Sequence, residues 1–145
     1  MNPAVLLILW GFLTIHASQD DPLRKHRWHD RVLLVFSPST ADPLYQEQMK
    51  LFAKQEAGLD ERNLVTYEVY PSSGKYPNMT QLSPKDANAL RNTYAIPPEA
   101  FVVILIGKDG GEKERKVNEL FSIPSLFSLI DAMPMRRQEM KRKKN

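Results

Sequence analysis

Two uninterrupted apolar runs, Val32-Leu33-Leu34-Val35-Phe36 and Phe101-Val102-Val103-Ile104-Leu105-Ile106, place the tightest limit on how this chain can fold. An apolar run without polar alternation marks a strand covered on both faces, so the sheet needs helices on each side. The segments between the runs supply them. Asp42 followed by Pro43 reads as an N-cap and a first helical turn. From there Leu44, Gln48, Leu51 and Phe52, with Met49 and Gln55 at the edges, recur at helical spacing as far as Gly58, which should end the helix. Leu64-Val65-Thr66-Tyr67-Glu68-Val69-Tyr70 alternates and is rich in β-branched and aromatic residues, which predicts a second strand. Two strands joined by one helix form a βαβ unit, whose strands lie parallel in one sheet.

Residues 71–84 are rich in Pro, Ser and Gly and read as an exposed loop. Ser83-Pro84 then caps and opens a helix to about Tyr94, with Ala87, Leu90 and Tyr94 turned inward. The second apolar run follows a proline-rich approach, in which Ile96-Pro97 is the favoured candidate for a cis peptide over Pro97-Pro98. Asp109-Gly110 supplies the positive φ of a tight turn, and Glu112 to Val117 returns as a charged antiparallel edge strand. A helix from about Pro124 to Ala132 sets Leu126, Ile130 and Met133 against the sheet. The order β-α-β-α-β-β-α, a central mixed sheet flanked by helices, predicts a thioredoxin-like α/β fold.

In such a fold the turn after the first strand carries the reactive cysteine. Here that turn is Ser37-Pro38-Ser39-Thr40, and the chain contains no cysteine. Thiol redox chemistry, disulfides and thiolate metal sites are therefore excluded. Hydroxyls cannot replace a thiolate, because they stay neutral and have no reversible redox couple. Ser37, Ser39 and Thr40 are expected to cap the following helix or to bind solvent. Serine hydrolysis would need an imidazole base within reach, and the histidines are His16 in the apolar leader and His26 and His29 in the basic entry, with no nucleophile elbow in the sequence. His26 and His29 have a spacing that metal ligands use, but Arg24, Lys25 and Arg27 around them repel a cation. Gly107-Lys108-Asp109-Gly110-Gly111 enters a hairpin and not a helix, so it reads as a turn and not a phosphate loop. No catalytic residue, metal or cofactor is expected.

Several stretches narrow the family. Asp30-Arg31-Val32-Leu33-Leu34-Val35-Phe36-Ser37-Pro38, Asp42-Pro43-Leu44-Tyr45, Gly58-Leu59-Asp60-Glu61-Arg62-Asn63, Ile106-Gly107-Lys108-Asp109-Gly110-Gly111 and Ile130-Asp131-Ala132-Met133-Pro134-Met135-Arg136-Arg137 together resemble the peroxiredoxin-like DUDES domain. That family includes equarin, the sushi-repeat proteins and coiled-coil domain-containing protein 80. The resemblance covers about residues 30–140 and implies an extracellular setting, with matrix, cell adhesion and glycosaminoglycan contact. Longer members carry several domains or sushi repeats. A single module puts multivalent matrix assembly in doubt, since avidity needs more than one.

The chain ends bear on location and partners. Ala4-Val5-Leu6-Leu7-Ile8-Leu9-Trp10-Gly11-Phe12-Leu13 has the length of a signal-peptide core, with Ala17-Ser18 at a suitable cleavage position. The alternatives are an uncleaved anchor or a buried terminal helix, though the run is short for a membrane span. Asn78-Met79-Thr80 is an N-glycosylation sequon in the predicted loop. At the other end Arg136, Arg137, Lys141, Arg142, Lys143 and Lys144 face only Glu139, while the whole chain carries a formal charge of +3. Such a cluster attracts sulfated polysaccharide, anionic membrane or nucleic acid, and export selects the first. The bland alternatives are a solvated tail, a nuclear signal or a dibasic processing site.

The sequence thus divides into a signal peptide 1–17, a polar basic segment 18–29, a thioredoxin-like domain 30–133 and a basic C-terminal tail 134–145. The function it predicts is that of a secreted, non-catalytic module binding matrix, glycosaminoglycan or a partner protein. A secreted factor processed at dibasic sites, or an enzyme using the groove from Ser37 to Tyr45, are the competing readings.

Overall fold

The computed structural model describes residues 21–145; the expected signal peptide 1–17 and residues 18–20 lie outside them. Eleven regular elements follow one another: β1 (Arg31–Phe36), α1 (Pro43–Ala53), α2 (Glu56–Glu61), β2 (Leu64–Tyr70), β3 (Ser73–Tyr76), β4 (Thr80–Leu82), α3 (Pro84–Thr93), β5 (Val102–Ile106), β6 (Glu112–Val117), α4 (Ile123–Asp131) and α5 (Pro134–Arg142). Six strands form one mixed sheet in the order β4-β3-β2-β1-β5-β6. β1 pairs in parallel with β2, Leu33 opposite Thr66, and antiparallel with β5, Leu34 opposite Ile104. The two apolar runs are therefore neighbours at the centre. Every residue of β1 and β5 is buried, as strands covered on both faces require.

Alternation along those strands builds two cores. Val32, Leu34 and Phe36 join Tyr67, Val69, Leu90 and Ile104 beneath α3. Leu33 and Val35 join Tyr45, Phe52, Leu59, Leu105, Leu126 and Ile130 beneath α1, α2 and α4. The thioredoxin-like α/β architecture is the observed one. Asp42 caps α1 by accepting from the Tyr45 N–H at 2.9 Å, and Ser83 caps α3 by accepting from the Asp86 N–H at 3.0 Å. The charged β6 occupies one sheet edge.

Five expectations need correction. The helix read as running from Pro43 to Gly58 is two helices, and Gly58 lies inside the second. A Cβ there would stand 2.7 Å from the Phe127 ring, so close packing of α4 and not helix termination calls for glycine. The loop 71–84 contains β3 and β4, short strands whose mixed exposure leaves no run of alternating apolar residues to read. No peptide bond among the described residues is cis. The chain instead turns at Ala95 (φ 54°), with the Ile96 N–H donating to the Arg91 carbonyl at 2.9 Å and Arg91 Nη2 to the Pro97 carbonyl at 2.7 Å. The described part of segment 18–29 is not loose, because Leu23 and His26 are buried on the α3 side. Finally, 134–145 is not a tail: α5 is a helix docked on the domain.

Candidate functional site

The turn after β1 is stitched to itself. Ser37 is buried, and its Oγ donates to the Ser39 carbonyl at 2.7 Å, while the Ala41 N–H donates to Ser39 Oγ at 3.2 Å. The helix cap is Asp42, so the hydroxyls of Ser37 and Ser39 hold the turn and do not cap α1; Thr40 contributes its carbonyl, which accepts from Gln46 Nε2 at 3.2 Å. On the same side of the sheet Tyr70 donates to Glu68 Oε2 at 2.8 Å, Tyr45 reaches the same oxygen, and the two hydroxyls lie 2.7 Å apart. Burial, followed by the Glu68 carboxylate, pushes the Tyr45 phenol up to about 12; burial likewise raises Tyr70. The Tyr45 and Tyr70 phenols are neutral at ordinary pH. The imidazole of His26 is across the sheet, 2.8 Å from both Asp30 Oδ2 and Tyr67 Oη, and is no base for the turn.

The basic C-terminal stretch is sorted by α5 into an inward and an outward set. Arg136 is 1% exposed; its Nε and Nη2 donate to Asp131 Oδ1 and Glu61 Oε1 at 3.0 and 2.9 Å, and its Nη1 to the Glu61 carbonyl at 3.1 Å. Asp131 also receives a bidentate pair from Arg62, 2.7 Å at the closer contact. One helical turn on, Glu139 takes both terminal nitrogens of the buried Arg31, at 3.2 and 3.3 Å, and Lys108 Nζ at 2.8 Å. Arg136 is thus a structural ion-pair partner, not an exposed cation, which corrects its assignment to the polyanion set.

The shifts of the carboxylates follow from this network. Burial pushes Asp131 and Glu139 upward, but the surrounding guanidinium and ammonium groups reverse the effect and hold both below the usual carboxylate range. The Arg136 hydrogen bond likewise lowers Glu61.

With Arg136 and Glu139 engaged inside, Arg137, Lys141, Arg142, Lys143 and Lys144 are exposed, and none makes an ion pair among the described residues. Arg137, Lys141 and Lys144 recur four and three residues apart, which places them on one side. With Met140, Lys143 and Glu61 they line an open groove of about 440 Å³. Asn78 is exposed in the turn between β3 and β4, at φ 65°. Among the described residues no cluster of His, Asp and Glu could hold a metal ion, and no helix is long and apolar enough to cross a membrane.

Sequence reasoning missed Arg31, Lys108, Asp131 and Glu139 as one unit. The signal was present: four of the five stretches quoted for the family resemblance, around Arg31, Glu61-Arg62, Lys108 and Asp131-Arg136, converge on this ion network.

Residues 22–139 match the family described as a domain of unknown function, DUF4174. Coiled-coil domain-containing protein 80 from Danio rerio is 28% identical over 138 residues, covering 85% of this chain and 16% of that protein. Sushi repeat-containing protein SRPX from Homo sapiens is 33% identical over 113 residues, covering 76% of this chain and 24% of that protein. The chain therefore spans a quarter or less of the length of these relatives. Among solved structures, the reduced 2-Cys peroxiredoxin of Plasmodium vivax superposes with a TM-score of 0.62 at 17% identity, over 80% of this chain and 84% of that one. Thioredoxin peroxidase I of Plasmodium yoelii gives 0.61 at 19% identity, over 80% and 79%.

Proposed function

Since the chain belongs to the DUF4174 family, as a peroxiredoxin-like DUDES-domain protein without cysteine, we propose that it is an exported, non-catalytic module that binds sulfated glycosaminoglycan of the extracellular matrix through the outer face of α5. One observation carries the reading. Docking of α5 turns Arg136 and Glu139 inward, so Arg137, Lys141 and Arg142 stand exposed on an ordered helix and Lys143 and Lys144 on the turn that ends it, none of them in an ion pair among the described residues. A pre-ordered array loses less conformational entropy on binding than a flexible tail. Roles in cell adhesion or matrix organisation, and a protein partner on the same domain, belong to this proposal. The apolar leader and the Asn78 sequon support an exported location, and export favours a sulfated polysaccharide over nucleic acid.

Processing at Arg136-Arg137 is disfavoured, because a protease needs an extended and accessible segment and Arg136 is buried within a helix. An enzyme at the Ser37 turn is disfavoured by the engagement of the Ser37 and Ser39 hydroxyls and by the place of the His26 imidazole across the sheet, against Tyr67.

Heparin-column elution tests the proposal. The wild type should be retained at low ionic strength and released by salt, and joint Lys141→Ala, Arg142→Ala, Lys143→Ala and Lys144→Ala substitution should move elution to much lower salt. Flow-through of the wild type at low salt would refute it.

A further inference from the structure

Trp28 is 65% exposed, the most exposed large apolar side chain among the described residues, and it sits at φ 67°. Both facts cost stability: an indole left in water forgoes burial, and a bulky residue in the left-handed region is strained. Glycine would hold the same turn without the strain. Its neighbours Arg24, Lys25 and Arg27 are exposed cations. Lys25 lies over the Tyr76 ring and Arg27 pairs with Asp21, whereas Arg24 makes no ion pair among the described residues.

The position of this turn connects it to α5. The Trp28 N–H donates to the Lys108 carbonyl at 2.6 Å, and Lys108 Nζ lies 2.8 Å from Glu139 on α5. One lysine thus bridges two basic segments from opposite ends of the chain. The Trp28 turn carries an exposed aromatic ring in a segment whose other exposed side chains include Arg24, Lys25 and Arg27.

We propose that Trp28 is a stacking platform for a sugar ring, and that the sulfated polysaccharide is gripped by cations on α5 and around Arg24 with Trp28 reading its carbohydrate face. The inference rests on the glycosaminoglycan reading and deepens it. Ammonium and guanidinium groups respond to charge density and do not distinguish sulfate on sugar from phosphate in a chain. An indole does: it gains from the apolar C–H face of a pyranose and gains nothing from inorganic polyphosphate.

Affinities of the full chain for a size-defined heparin oligosaccharide and for inorganic polyphosphate, each across a salt series, test it. Trp28→Ala should raise the Kd for the oligosaccharide about tenfold, the scale of one aromatic stacking contact. It should leave polyphosphate binding and the slope of log K against log salt unchanged. Trp28→Phe should retain most of the affinity. Trp28→Gly should lose it while raising Tm by about 3 °C through relief of strain, a gain that a purely structural role would not produce. Lys141→Ala with Lys144→Ala should weaken both ligands and flatten the salt slope, because fewer counterions are released. Unchanged oligosaccharide affinity in Trp28→Ala, or equal loss for both polyanions, would overturn the platform. Loss confined to Trp28→Ala, with the α5 variant unaffected, would uphold the platform and refute the α5 reading.

Discussion

Adjacent arginines on α5 illustrate how one residue type takes two roles. Arg136 is enclosed by Asp131 and Glu61, whereas Arg137 is exposed. Removing the enclosed guanidinium leaves a void in the packing and takes one of its partners from Asp131 and from Glu61. Arg136→Ala should therefore lower the urea midpoint strongly, and Arg137→Ala should leave the midpoint unchanged while reducing heparin retention. Equal effects on stability would show that α5 is not docked as described. Gly58 makes a second residue-scale case. Alanine normally strengthens a helix, but here its methyl would meet the Phe127 ring over which Arg62 also lies, 3.9 Å from the ring centre. Gly58→Ala should destabilise by about 1 kcal/mol or more, the usual scale of overpacking, measurable by chemical denaturation.

At the scale of elements, α5 is held by charge more than by apolar contact, since Arg136 is its one buried residue. Glu61, Asp131 and Glu139 have folded-state pKa values below their ordinary ones. Their contribution is complete above the ordinary carboxylate range and is lost as pH falls toward the lowered values. Acidification from pH 6 to pH 3 should thus release α5 before the sheet, seen as early loss of amide-exchange protection in residues 134–142. Loss of protection in α5 and β1 together would contradict this order. The Tyr45–Tyr70–Glu68 cluster acts at the alkaline end. Raised phenol values mean that the fold prefers the neutral form, so stability declines as pH climbs past about 10, where unfolded tyrosine ionises. Absorbance at the tyrosinate band should show a late-titrating class that disappears once the protein unfolds.

For the molecule as a whole, the Asn78 turn and the segment before β1 lie toward the same end of the sheet, since Lys25 stands 4.3 Å from the centre of the Tyr76 ring. The turn between β3 and β4 displays Asn78, and α5 with the Trp28 turn displays the cations. A glycan at Asn78 would enlarge the protein from an exposed turn. Expression in secreting cells should yield a species that shrinks on amide-glycan removal, and Asn78→Gln should abolish that shift; an identical mass in both proteins would remove the sequon from consideration.

The β1 and β5 runs were legible from residue order alone, because a strand buried on both faces tolerates no polar interruption and each run meets that condition locally. The Asp42 and Ser83 caps were legible for the same reason: the partner N–H lies three residues away. The cysteine-free turn and the exclusion of thiol chemistry also needed nothing beyond the sequence. Which basic residues face solvent was a different matter. Arg31 meets Glu139 across 108 positions and Arg136 meets Glu61 across 75, so no local pattern separates a buried guanidinium from an exposed one. Composition determined that the C-terminal stretch is cationic. Only tertiary packing decided that it is a helix with Arg136 inside and Arg137 outside, because pairing energy depends on charges that the fold, and not the chain, brings within 3 Å.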